Sequence, residues 1–77
     1  MPAHPADVTI HIDQELGSAD RALLMEAFRQ REGVISARFN EDKRHLVICE
    51  FDSERVSTRD LLAILMYQGY HGKLVGL

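Results

Sequence analysis

Val8, Ile10 and Ile12 alternate with Thr9 and His11 near the start of the chain. That two-residue period predicts a strand with one buried face. Asp13 to Gly17 is polar and closes on glycine, which reads as a loop. Ser18 is placed to cap the helix that follows, and Asp20 puts a negative charge in its first turn. Leu24, Ala27 and Phe28 share one face of that helix, and Gly33 supplies a left-handed residue at its end. Alternation returns over Val34 to Asn40, with Ala37 and Phe39 on one side and Ser36, Arg38 and Asn40 on the other. The charged turn Glu41-Asp42-Lys43-Arg44 joins this strand to a third, Leu46 to Phe51, and the two form a hairpin. Val47, Cys49 and Phe51 face the core; Leu46, Ile48 and Glu50 face away. Ser57-x-x-Asp60 is a capping-box pattern that opens a second helix over Thr58 to Gln68, stopped by Gly69. Tyr70 to Leu77 has room for a short last strand.

The order is therefore β-α-β-β-α-β. Right-handed crossovers place both helices on one face of a four-stranded antiparallel sheet, leaving the other face open. The expected class is α+β, a ferredoxin-like split βαββαβ sandwich. Residues 1–6, with two prolines and no periodicity, read as a flexible arm, and residues 7–77 as the domain.

The chain has 77 residues with nine Lys+Arg and twelve Asp+Glu, a net charge of −3. One small domain of this size has just enough core to fold without staples. Its single cysteine, Cys49, rules out an internal disulfide and any C-x-x-C site within one chain. The longest apolar run, Leu61 to Tyr67, is far short of the ~18 residues of a membrane span. The first residues carry no basic or apolar leader pattern, so the expected location is the cytoplasm, without membrane insertion.

Arg31-Glu32-Gly33-Val34, followed by Ser36-Ala37-Arg38-Phe39-Asn40, resembles the L-x-G-V-x-x-V-x-V segment that ends the first helix of heavy-metal-associated (HMA) domains. Val56-Ser57, Asp60-Leu61, Leu65 and Gln68-Gly69-Tyr70 resemble their second helix and its closing Gly-Tyr. The likeness runs from Val8 to Leu74. It implies the ferredoxin-like fold and a metal-handling family. The family carries M-x-C-x-x-C at the first loop and helix start; aligned on Gly33-Val34, those cysteines fall on Gly17 and Asp20, and the methionine on Glu15. Neither position offers a thiolate, so soft-metal transfer does not carry over. Arg31 replaces an apolar residue at the helix end, so its stem packs while its head stays wet.

Asp13, Glu15 and Asp20 lie in or beside the loop that holds metal in HMA domains, and the resemblance brings Tyr70 and His71 near. These carboxylates and the imidazole of His71 could suit a divalent transition-metal ion. The plainer reading is a solvated loop with Asp20 facing the helix dipole, and it is favoured because nothing in the sequence fixes their convergence. His4 gives a second candidate: with Met1 removed, the amine of Pro2 and this imidazole could wrap Cu(II) or Ni(II), although an accidental histidine in a tail is the simpler account. Cys49 reads as a core residue. No Ser/His/Asp or Cys/His constellation can be assembled, so no enzyme is expected. The open sheet face shows Thr9, His11, Leu46, Ile48 and Glu50, without rings for base stacking, and the net charge is negative, so no nucleic acid is expected.

Apolar surface remains. Leu46 and Ile48 stand on the uncovered sheet face, while Met66 and Tyr67 turn away from the Leu61/Leu65 stripe of the second helix. These four residues are the expected interface with a protein partner or a second copy of the chain. A homodimeric small-ligand sensor is a weaker option with no residue set for its ligand.

Overall fold

The computed structural model describes residues 4–75. Strand β1 (Pro5–Ile12) leads to helix α1 (Ser18–Gln30), the hairpin β2 (Val34–Phe39) and β3 (Leu46–Asp52), helix α2 (Thr58–Tyr67) and strand β4 (Gly72–Val75). The sheet order is β2-β3-β1-β4, with every neighbouring pair antiparallel. This is the ferredoxin-like sandwich that the periodicity predicts.

The alternation in β1 and β3 decides which sheet face is covered. Val8, Ile10 and Ile12 join Val47, Cys49 and Phe51 in one buried cluster with Leu24, Met25 and Phe28 of α1 and Leu61 and Leu65 of α2. The opposite face carries Thr9 beside Ile48 and His11 beside Leu46, in register across the central pair. Within α1, Met25 is buried and Ala27 only half-buried, so the inward stripe is shifted slightly from the expected one.

Several boundaries differ from expectation, each for a physical reason. Strand β1 begins at Pro5, and Ala6 lies opposite Phe51, so residues expected in the arm already belong to the ladder. Proline fits there at the strand's first residue, where a missing N–H is tolerated. Met1 to Ala3, and Gly76 and Leu77 of the expected last strand, lie outside the described residues. The cap of α1 is Gly17, not Ser18, and no side chain caps it. Gly33 is not the residue that ends α1. It is the third residue of a turn closed by the Val34 N–H to the Arg31 carbonyl at 3.1 Å, with φ at 100°. A Cβ there would also run into Val56, so both conformation and space demand glycine.

The second helix follows its sequence signals closely. The Ser57 hydroxyl accepts the Asp60 N–H at 3.1 Å, and the Asp60 carboxylate accepts the Ser57 N–H at 2.9 Å, completing the capping box. At the other end, Tyr70 N–H reaches the Leu65 carbonyl and Gly69 N–H the Met66 carbonyl. With Gly69 at φ 91° this is a Schellman closure, and Tyr70 packs back against the core. The hairpin turn is held by the Asn40 side-chain oxygen, which accepts the N–H groups of Asp42 and Lys43.

Candidate functional site

The antiparallel arrangement gathers the first loop, the hairpin turn and the turn after α2 at one end of the sandwich. Asp13 N–H bonds the His71 carbonyl at 2.8 Å, and Ile12 N–H bonds the His45 carbonyl at 2.8 Å. Gln14 accepts the His71 N–H at 3.0 Å through its side-chain oxygen. Arg21 reaches back from the first turn and a half of α1 to donate to the Leu16 carbonyl at 2.8 Å, its guanidinium 6.0 Å from the Phe39 ring centroid. Leu16 itself is buried. The first loop is thus fixed by contacts of this chain's own residues.

The expected approach of His71 to the first loop is present, but as backbone pairing. The side chains of Asp13, Glu15, Asp20 and His71 are all exposed. Among the described residues, no three His, Cys, Asp or Glu side chains are grouped to hold a metal ion. His4 lies at the far end of β1, where its imidazole is 3.1 Å from Glu54 and its carbonyl accepts from Ser53. The amine of the proposed tail site lies outside the described residues.

The thiolate chemistry of a soft-metal loop does not fit this chain. Gly17 is the helix cap and Asp20 is exposed at the helix start. Cys49 is buried on β3, and burial, followed by the charge of Glu50, pushes its thiol up to about 11. Such a thiol is a small hydrophobe at neutral pH rather than a thiolate ligand.

Two histidines that the sequence left apart are brought together. His11 on β1 and His45 at the end of the hairpin turn stack with ring centroids 5.8 Å apart and 15° between planes. The signal in the sequence was the pairing register, which sets His11 opposite Leu46 and so beside His45.

The apolar candidates separate into two places. Leu46 and Ile48 are half-buried on the open sheet face. On the outer side of α2, Met66 is 61% and Tyr67 89% exposed. With Ala63 they line a hollow of about 360 Å³. Because α2 covers the other sheet face, the two places are not one patch. Leu23 on α1, 65% exposed, is a further apolar side chain that the helical pattern did not single out. Among the described residues, no helix is long and apolar enough to cross a membrane.

The ferredoxin-like fold so built is shared with solved structures of small domains of similar length. Oxidized MerP from Ralstonia metallidurans CH34 superposes with a TM-score of 0.83 at 21% identity, covering 94% of this chain and 99% of that one. The N-terminal domain of a potential copper-translocating P-type ATPase from Bacillus subtilis, in the Cu(I)-loaded state, gives 0.84 at 24% identity, covering 94% and 89%. The CopZ metallochaperone gives 0.79 at 18% identity, covering 88% and 100%. No family model matches the sequence, and no curated protein does.

Proposed function

We propose that this chain is a non-enzymatic, cytoplasmic binding module on the HMA scaffold that has lost the dithiolate site and works by protein contact through the outer side of α2. The observation that carries this reading is the pair Met66 and Tyr67, two large apolar side chains left in water beside each other around an open hollow. A helix with polar residues absent from Leu61 through Tyr67 has no polar face to offer solvent, and such faces are covered in the working state. The structures of like fold are named for copper binding and metallochaperone work; here neither Gly17 nor Asp20 can supply a thiolate, so the scaffold is retained without that chemistry.

The partner is a protein surface able to bury a methionine and a tyrosine, and a second copy of the chain is its simplest form. Sedimentation equilibrium up to the highest soluble concentration tests this on the wild-type chain and on Met66→Glu. A concentration-dependent mass in the wild type, lost in Met66→Glu with unchanged melting, is the expected result. A wild-type chain that stays monomeric and retains no stoichiometric partner from its own cells overturns the proposal. Ile48→Glu separates the two surfaces, because it leaves association through α2 intact.

A further inference from the structure

We infer that the occupant of the Met66 and Tyr67 surface is a second copy of this chain. The two α2 helices cross antiparallel over Ala63, and Arg59 of each copy sits against Tyr67 of the other. The inference rests on the reading of α2 as an interface, and adds the partner, its orientation and a specificity-determining residue.

Helical spacing sets the contact row. Arg59, Ala63 and Tyr67 follow one another at intervals of four, so they run along the side of α2 away from the buried Leu61 and Leu65. Met66 stands beside that row. Ala63, the smallest of the four, is at its middle and lines the hollow with Met66 and Tyr67. A small residue at a crossing lets two helix axes approach to the short end of the usual range of about 8–10 Å. Met66, unbranched and flexible, then fills the space beside Ala63.

Charge chooses the direction. Arg59 is the second residue of α2, is exposed, and forms no ion pair among the described residues. Asp60 beside it is already engaged by the Ser57 N–H and the Arg31 guanidinium. A cation in the first turn opposes the helix macrodipole, so Arg59 gains nothing from its own helix. The last turn of α2 has the opposite deficit, because it carries no basic residue. An antiparallel crossing meets both at once. Arg59 of one copy reaches the C-terminal half of the other, where the dipole favours a cation and the Tyr67 ring offers its face. Twofold symmetry makes that contact twice. A parallel crossing would instead set Arg59 against Arg59 and join like helix ends. Two helices of ten residues bury less than a standard interface of about 1,600 Å², so the association is weak.

The test is sedimentation equilibrium of the full chain, wild type and Arg59→Glu, with disulfide trapping by oxidised glutathione. Arg59→Glu puts an acid where the dipole of α2 favours one, so the fold is kept, and thermal melting checks it. It should raise the dimer Kd at least about tenfold, and Arg59→Lys by less. In the trapping arm, Ala63→Cys should form a covalent dimer, while Cys49 is buried and stays out of the exchange. Tyr67→Cys, which the crossing holds roughly 12 Å from its own counterpart along the axis, should not. No covalent dimer of Ala63→Cys, trapping of Tyr67→Cys, or a Kd indifferent to Arg59→Glu would overturn the antiparallel pair, while loss of association in Met66→Glu would still uphold α2 as the interface. A wild type that stays monomeric overturns the second copy as occupant, even where another protein is retained through Met66; only a monomer without such a partner takes the broader reading with it.

Discussion

Helix α2 is closed at both ends by its own neighbours in sequence, whereas the segments entering and leaving α1 are also held by residues from elsewhere in the fold. Ser57 and Asp60 cap α2 reciprocally, and Gly69 and Tyr70 complete its last turn. The N-cap of α1 is a bare glycine. Its approach is fixed by Arg21 on the Leu16 carbonyl, by burial of Leu16, and by the pairing of Asp13 and Gln14 with His71. The Gly33 turn after it is tied down by the Asp52 N–H at 2.8 Å. Residues within five of one another specify the ends of α2, while the loop into α1 and the turn out of it are also held by pairing with distant strands and turns. The first loop is where the resemblance of the sequence puts a metal; in this chain contacts of its own residues hold that loop.

The sharpest contrast in energy lies between the inward side of α1 and the outward side of α2. Phe28 is fully buried among the core residues, and truncating it leaves a void that the sheet cannot fill by collapse. Phe28→Ala is expected to cost about 3–5 kcal/mol in urea unfolding, enough to unfold much of so small a domain. Tyr67→Ala, at a side chain almost wholly in water, is expected to change stability by less than about 0.5 kcal/mol. A large loss for Tyr67→Ala in the monomer would mean that the ring packs within the chain, and its role as an interface would fall.

Capping divides the two helices on a smaller scale. Ser57→Ala removes one half of a reciprocal pair and should cost about 1 kcal/mol. Ser18→Ala, at a serine that the sequence marks as a cap but that stands one residue inside the helix, should cost less than about 0.5 kcal/mol. Thermal melts of the two variants side by side decide the matter, and equal losses would put a working cap at Ser18.

That pair of serines shows what was legible in the sequence. The alternation in β1 and β3, the capping box and the Gly-Tyr stop are local signals, and the fold they imply is the one observed. The sequence signal for the start of α1 is one residue off, because Ser18 and Gly17 are both acceptable caps and the cap is Gly17. Pro5 and Ala6 look like an arm in sequence because proline hides a strand start, although β3 extends far enough to pair with them. The site was less legible than the fold. Exposure of Met66 and Tyr67 followed from helical angle alone. The carboxylates of the first loop are close in sequence yet all point to water, while His11 and His45, 34 residues apart, meet only through strand register.

The smallest effect concerns acid. Hydrogen bonds from Ser57, first its backbone N–H and then its side chain, hold the Asp60 carboxyl below its ordinary 3.8, with the Arg31 guanidinium, 3.5 Å away, adding less. A carboxyl depressed on folding contributes stability that is complete above its unfolded value and is lost as pH falls below it toward the folded one. Asp60→Asn keeps an acceptor oxygen for the Ser57 N–H but cannot ionise. Stability of the wild type minus that of Asp60→Asn should therefore be flat at neutral pH and shrink as pH drops through about 4. Because hydrogen bonds outrank the Arg31 charge, added salt should change the difference little. A difference that stays constant through the acid range would show that the Ser57 pairing does not favour the carboxylate, and one that collapses in salt would hand the effect to Arg31.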